Sequence, residues 1–434
     1  LDQFAKFIGD GARSAPEWVN TARHASIERF AKLGFPTTKN EDWHFTSVAP
    51  IAEREFTFDA ARSGSVSQAD IDAFGFSDEG WHTLVFVNGR FAPELSSTAG
   101  LEAGVRALSL ADAWTSAPEL TKRVGSVLGE QGTFSALNSA FMTDGMVLHV
   151  PKDVTVRSPI HCVFVADASA ATRVMYPRHL ILVDRNAKAT VVESYVALSD
   201  ASYFTNAVTE VSVAEGATLE YYKIQREGAR AFHVGTIEAT QARDSHYVSF
   251  SFATGGSLTR TNIYTKLAGA GCGATLNGLY MLDGDQHCDH QTRIEHVAPN
   301  CFSREVYKGV LDGRSHGVFN GKVYVHPEAQ KTDGKQTNNN LLLSKDAQVD
   351  TKPQLEIFAD DVKCTHGATV GKLDEMAWFY MKSRGMNAES ARRLLIYAFA
   401  ADVLETIEQP DVRSKLERVA LERFVTVEEE AMAV

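Results

Sequence analysis

Cysteine and basic residues are in short supply in this 434-residue chain. Only five cysteines occur, an odd number with no Cys-x-x-Cys pair, so no disulfide framework is encoded. Cys162, Cys272, Cys288, Cys301 and Cys364 fit a reducing compartment instead. Lysine and arginine total 43 against 55 acids, a formal net charge of −12, which removes the broad basic face that nucleic acid requires. Long apolar runs are missing too: none approaches the roughly 20 residues that span a bilayer. The opening LDQFAKFIGDGARS lacks the apolar core of a secretory signal. These absences lead us to expect a soluble, cytoplasmic protein. A hydrophobic fraction of 44% allows a large core spread over two or three domains.

A phosphate cradle is also lacking. GVFNGKV and GATVGKL have three residues between their glycines where a P-loop has four, and neither has Ser or Thr after the lysine. We read both as turns beside strands. GAGCG opens no helix, so it is no dinucleotide fingerprint.

What is present falls into three textures. The first is mainly helical, residues 1–145. In SAPEWVNTARHASIERFAKLGFP, Ser14 is placed to cap, Pro16 suits a first turn, and Trp18, Ala22, Ala25, Ile27 and Phe30 recur near a 3.6 period. Gly34 and Pro36 stop that helix. HTLVFVNGRFA reads as a strand pair about an Asn-Gly turn, near 83–92. LSLADAWTS and ELTKRVGSVLGEQGTFSALNSAF return to helical spacing.

From Met146 to Gly371 the texture is short β alternation. One device recurs in RNAKATVVESY, EGATLEYYKIQ, GCGATLNGLYM, KDAQVDTKPQ and HGATVG: Gly, Asn or Asp, then as a rule Ala, before a β-branched or apolar alternation. A tight corner followed by a small inward residue is what stacked strands require. Ala187 and Ala217 stand 30 residues apart, the span of one coil of a solenoid. The residues leave two readings, a β-helix or a meandering antiparallel sheet. Residues 372–434 return to helix. Asp374 and Glu375 open DEMAWFYMKSRG, Lys382 and Arg384 lie near its end, and Gly385 caps it. Asn387 caps the next helix. Its run LLIYAFAA is apolar all round and is expected to be buried on more than one side, with Pro410 breaking it before a last helix in DVRSKLERVALERFVTV.

Two clusters carry ligand chemistry. DQHCDHQTRIEH holds His287, Cys288, Asp289, His290, Glu295 and His296, all residue types that bind iron or zinc. Neighbours on a strand face opposite ways, so at most half of these converge, and we read a solvated polar face. DDVKCTHGATVG sets Cys364 and His366 on one face of an extended chain. Two donors do not complete a metal site, and i, i+2 side chains stand well apart for a thiolate–imidazole pair. The residues alone stop at an incomplete soft-metal site.

The chain resembles the SufB/SufD family of iron–sulfur cluster assembly proteins. The resemblance runs through FPTTKNEDWHFT, FSALNSAFMTDG and HCDHQTRIEH. It is dense from GVFNGKVYVHPEAQKTDG to DDVKCTHGATVG, and continues in FYMKSRGM and LLIYAFAADV. It implies a mainly β fold, a right-handed parallel β-helix core between N- and C-terminal α-helical domains. It implies a scaffold complex with SufB and the SufC ATPase, with ATP hydrolysis supplied by SufC and no enzymatic activity in this chain. A homodimer is a further possibility. No cofactor is expected to be held stably by the chain alone; an iron–sulfur cluster is expected transiently in the complex. The SufB side of the family carries a cysteine in its counterpart of KQTNNNLL, where this chain has Asn338, Asn339 and Asn340, which points to the SufD side. By the same matching His366 faces the SufB cysteine across a subunit interface, with Cys364 as its neighbour. Phe379, Tyr380 and Arg384 fall where the ATPase docks. Two rival classes are a polysaccharide-acting β-helix enzyme and a purely structural homo-oligomer. Asp360 and Asp361, adjacent and facing opposite ways on a strand, make a poor acid pair for the first.

Overall fold

The computed structural model describes residues 1–10, 15–59, 64–74, 80–129 and 132–423. Ser14, the expected cap, lies outside them. The core is mainly β, a parallel solenoid whose successive strands alternate between two walls. One wall runs from His82–Val87 through Ile160–Ala166, Lys188–Ala197, Thr218–Arg226, His246–Ala253, Gly273–Leu282, Phe302–Leu311 and Asp333–Leu342 to Lys363–Gly371. The other runs from Met146–Val150 through Arg178–Val183, Phe204–Val213, Phe232–Gln241, Leu258–Leu267, His287–His296 and His316–Val325 to Gln348–Ile357. Neighbours within each wall pair in parallel, which excludes the meandering sheet. Thr218 lies beside Lys188, so Ala217 follows Ala187 by one coil, as their spacing suggests.

The corners explain why this sequence coils. Asn186, Gly216, Asp244, Gly271, Asn300 and Lys331 all have positive φ, between 54° and 75°. Each is followed by a small residue: Ala187, Ala217, Ser245, Cys272, Cys301 or Thr332. The left-handed residue turns the chain and the small one lets the corner close against the rung beneath. Backbone hydrogen bonds continue the ladder through this column, from Thr218 N to Ala187 O (2.9 Å) up to Asp333 N to Cys301 O (3.0 Å). Inside, Leu84, Phe86, Val191, Tyr221, Tyr247, Leu276, Tyr307 and Phe319 form one buried column.

The outer faces are roofed. Helices Asp2–Asp10, Glu17–Leu33 and Thr133–Phe141 bring Phe4, Phe7, Ile27 and Phe134 onto Phe204, Phe232 and Leu258 of one wall. Helices Ala388–Leu404 and Pro410–Glu422 bring Ile396, Ala400, Val403 and Leu416 onto Tyr222, Phe250, Leu279 and Val310 of the other. Strands buried on both faces read as nearly continuous apolar segments.

Several local expectations change. The antiparallel pair about Asn88-Gly89 forms, but its first strand, His82–Val87, also joins Ile160–Ala166 in the core wall. In ELTKRVGSVLGEQGTFSALNSAF only Pro118–Thr121 and Thr133–Phe141 are helical among the described residues. GVFNGKV and GATVG are strand, not turn. Both lie on rungs where ladder bonding holds glycine extended. LLIYAFAA is buried on one side only: Ile396 and Ala400 face the wall while Leu394 is exposed. Its helix ends at Leu404, and Pro410 opens the next one, where its missing N–H costs nothing.

Close packing of rungs gives a direct test. A Cβ at Gly278 would lie 2.3 Å from the Tyr307 ring and 3.0 Å from the Ser251 carbonyl, whereas one at Gly367 meets nothing within 4 Å. Gly278→Ala should destabilise by about 1–3 kcal/mol. Gly367→Ala should stay within about 0.5 kcal/mol of wild type. Urea melts of the two variants check this, and equal midpoints would contradict the packing described.

Candidate functional site

Among the described residues the solenoid ends without a roof. Lys363–Gly371 bonds only to Asp333–Leu342 within its wall, and Gln348–Ile357 only to His316–Val325. Both final strands therefore present a free edge of backbone N–H and C=O groups. No residue of Lys363–Gly371 is fully buried. Pro353 sits in the second of these strands, a position that an edge tolerates because no ladder donor is needed there.

Cys364 and His366 stand on this last rung, on the inward-facing row, in register with Gly334 and Gln336. The strand runs on through Gly367 to Gly371, so the two glycines do not end it. Cys364 is half-buried against the cluster of Val323, Val325, Ala329 and Ala359. Burial pushes its thiol up, and the charge of Asp333 adds to that. His366 is exposed, and the contacts of the described residues include no hydrogen bond or ion pair to its ring.

The row beneath His366 is polar and deeply buried. Gln336 Nε2 donates to Glu305 Oε2 at 2.6 Å, and Glu305 is in register with Gln336 on the preceding coil. Glu305 Oε1 and Gln336 Oε1 are both buried without a hydrogen-bond partner. Burial pushes the Glu305 carboxyl up to about 7, against the hydrogen bond from Gln336. A buried acid, an amide and an exposed imidazole thus occupy three successive rungs of one row. The sequence reading missed Glu305 and Gln336. The signal was available: stepping back one 30-residue coil from His366 lands on Gln336.

The other candidates fall elsewhere. Asn338 and Asn340 point inward and are closed into a chain, Asn340 Nδ2 to Asn338 Oδ1 at 2.7 Å, with the Tyr280 hydroxyl donating to Asn340. Asn339 faces outward and accepts from Thr369 Oγ1 at 2.7 Å. None of the three is the rung partner of His366. Asp360 and Asp361 lie in the bend between the two last strands rather than on a strand, and Asp361 pairs with Lys331 at 3.0 Å.

The cluster His287–His296 is not the solvated face expected. Cys288, His290 and His296 lie inside the solenoid, His290 bonded to Ser251 (3.1 Å) and His296 to Ser303 (3.0 Å). On the outer side Asp289 pairs with buried Arg260 at 2.7 Å, and Thr46 bridges Asp289 and His287. The N-terminal segment around Trp43 and Thr46 roofs that face, and Arg260 stacks 3.6 Å over the Trp43 ring. Glu295 pairs with His326 at 2.7 Å. Among the described residues no three His, Cys, Asp or Glu side chains converge to hold a metal ion.

A second exposed feature lies on helix Glu375–Ser383. Asp374 caps it, accepting from Met376 N and Ala377 N, and Gly385 closes it with φ 93°. Met376, Phe379 and Tyr380 are 76%, 66% and 57% exposed, high values for side chains of that size. Arg384 lies 5.0 Å over the Tyr380 ring and donates to its hydroxyl at 2.9 Å. No helix of the described residues is long and apolar enough to cross a membrane.

Comparison with known proteins was informative at both ends of the chain. Residues 164–399 match the SUF system FeS cluster assembly, SufBD core domain, and residues 2–162 match the SufBD protein N-terminal region. The chain is 33% identical to the iron–sulfur cluster assembly protein SufD of Escherichia coli, over 94% of this chain and 93% of that protein. It is 33% identical to an iron–sulfur cluster assembly SufBD family protein of Synechocystis, over 91% and 88%. With SufD of Bacillus subtilis it shares 26% identity over 94% of each chain.

The buried acid beneath His366 gives a pH signature. A carboxyl raised from its ordinary 4.5 to about 7 in the folded state keeps its proton there while the unfolded chain loses it. Its contribution to stability is present below about pH 4.5 and is lost as pH rises through 7. Glu305→Gln removes that loss. The variant's stability relative to wild type should improve by roughly 3 kcal/mol between about pH 4.5 and pH 8. Denaturant melts at both ends of that range check this, and a difference independent of pH would show that Glu305 does not titrate as described.

Proposed function

We propose a function from one premise: the chain belongs to the SufBD family, as a SufD-like iron–sulfur cluster assembly protein of the SUF system. In our reading it is a non-enzymatic scaffold subunit that pairs with SufB and the SufC ATPase, and the complex builds and transfers iron–sulfur clusters. The cluster is cargo, formed at a site that this chain supplies only in part. The observation that carries this is His366: an exposed imidazole with no partner among the described residues, on an edge strand paired on one side only at the end of the solenoid.

The physical case has three parts. A free strand edge gains main-chain hydrogen bonds by pairing with another strand, so the last rung is suited to an extended strand of SufB. Imidazole ligates iron through a neutral nitrogen, and His366 needs no internal bond broken to do so. Cys364 is held protonated by its burial, so a metal would have to displace that proton before the thiolate could bind. His366 is therefore the primary donor, and Cys364 is either a second donor or packing for the rung. The remaining ligands come from SufB. Five free thiols suit a cytoplasmic complex.

SufC docks, in this reading, on helix Glu375–Ser383, where Phe379 and Tyr380 offer aromatic anchors and Arg384 is tied to the Tyr380 hydroxyl. The described fold leaves these side chains exposed, so they contribute little to its stability. Tyr380→Ala with Arg384→Ala should weaken retention of SufC in a pull-down by tenfold or more and leave the melting temperature near wild type. Undiminished retention would count against this surface.

The shared site has its own test. His366→Ala removes an exposed side chain, so the variant should fold and assemble with SufB and SufC at normal stoichiometry. The purified complex should nevertheless carry a small fraction of wild-type iron and sulfide after expression or reconstitution. Asn339→Ala, which removes an outward amide with no role as a ligand, should leave both contents near wild type. Wild-type cluster yield with His366→Ala, read by visible absorption and iron assay, would make this chain a structural companion only.

A further inference from the structure

The corner column of the solenoid contains two thiols on successive rungs. Gly273 is in register with Phe302, which sets Cys272 directly beside Cys301 at the corner just before those strands. Both side chains are buried, with 0% and 1% exposure. Their sulfurs share one acceptor, the Gly269 carbonyl, at 2.9 Å from Cys272 Sγ and 3.3 Å from Cys301 Sγ. Parallel rungs lie about 4.8 Å apart, within the ~4.4–6.8 Å Cα range that a disulfide accepts.

Packing alone does not call for sulfur here. The same column is filled by Ala187, Ala217 and Ser245 before the pair, and by Thr332 after it. The polar members repeat one bond: Ser245 Oγ donates to Ala242 O at 2.6 Å, and Thr332 Oγ1 to Ala329 O at 2.8 Å. Cys272 does the same with Gly269 O. A hydroxyl therefore serves the corner as well as a thiol, and two adjacent thiols ask for another explanation.

We propose that Cys272 and Cys301 form a peroxide-responsive dithiol site that closes to a disulfide and ties two successive coils together. Cys272 is the attacking sulfur and Cys301 the resolving one. The neighbouring Cys301 thiol favours the Cys272 thiolate and lowers its pKa against the opposing effect of burial. Burial raises Cys162, Cys288 and Cys364 instead, and Cys301 is also raised. The chemistry balances with hydrogen peroxide as the oxidant. The Cys272 thiolate attacks one peroxide oxygen, the O–O bond breaks, and the departing hydroxide takes a proton to leave as water. The Cys301 sulfur then displaces the sulfenic hydroxyl, forming the S–S bond and a second water, with the thiol proton leaving on that oxygen. Two sulfurs are oxidised and one peroxide is reduced. Peroxide is nearly as small as water, which suits a buried pair that a bulky disulfide reagent cannot reach. The proposal does not depend on cluster assembly or on His366.

The experiment treats the full chain with hydrogen peroxide, quenches it, then counts thiols after denaturation and maps peptides by mass spectrometry. The expected result is loss of two of the five thiols. One linked peptide pair should contain Cys272 and Cys301, lighter by two hydrogens, and a dithiol reductant should restore it. Cys272→Ser and Cys301→Ser should fold, on the precedent of Ser245 and Thr332, and neither should yield the linked pair. A linkage elsewhere, or oxidation of Cys272 to sulfinic acid with Cys301 still free, would overturn the proposal. If either variant fails to fold, the wild-type peptide map alone decides between these outcomes.

Discussion

Register between successive coils is the constraint from which the rest of this structure follows. From Arg178 onward each wall strand bonds in parallel to the strand about 30 residues away, as with Thr218 beside Lys188, and the ladder continues unbroken through the corners. A one-residue slip would turn every inward side chain outward, so the walls are fixed by their cores. Once register is fixed, residues far apart in sequence become stacked neighbours. Glu305, Gln336 and His366 form a row for this reason, as do Ser245, Cys272, Cys301 and Thr332.

The same geometry leaves one end of the solenoid open. A solenoid wall satisfies its backbone internally except at its last strand. Helices roof the outer faces earlier in the coil, and the final rung is left with free edges and an inner row open at one end. A polar row ending in an exposed imidazole would be costly in mid-core, where each buried polar group needs a partner. At the open end it is tolerated, and Glu305 and Gln336 each keep one unpartnered oxygen just beneath. Stability is thus given up locally at the last rung.

Much of this was legible in the sequence, for reasons that are physical. The corner device, a residue able to take positive φ followed by a small one, is local, and it marked Asn186-Ala187 and Gly216-Ala217. Helix caps are local too, and Asp374, Gly385 and Asn387 act as expected. The placement of Cys364 and His366 on one face needed only the two-residue period of a strand. What failed was long-range. Whether HCDHQTRIEH faced water depended on Thr46 and Trp43, some 240 residues away, folding over it. Whether LLIYAFAA was buried all round depended on how many neighbours the last helices had, and they have a wall on one side only. Lys331 carries positive φ without being Gly, Asn or Asp, so its corner escaped the pattern.

The central claim is that the unroofed edge bearing His366 is where this chain meets its partner strand. Backbone hydrogen exchange tests it without altering a residue. In the chain alone, amides of Lys363–Gly371 that point away from Asp333–Leu342 have no ladder acceptor and should exchange quickly. With SufB bound, the same amides should gain protection of tenfold or more, while strands in the middle of the solenoid, such as Phe232–Gln241, stay unchanged. Equal exchange of residues 363–371 in the free and bound chains would contradict the account.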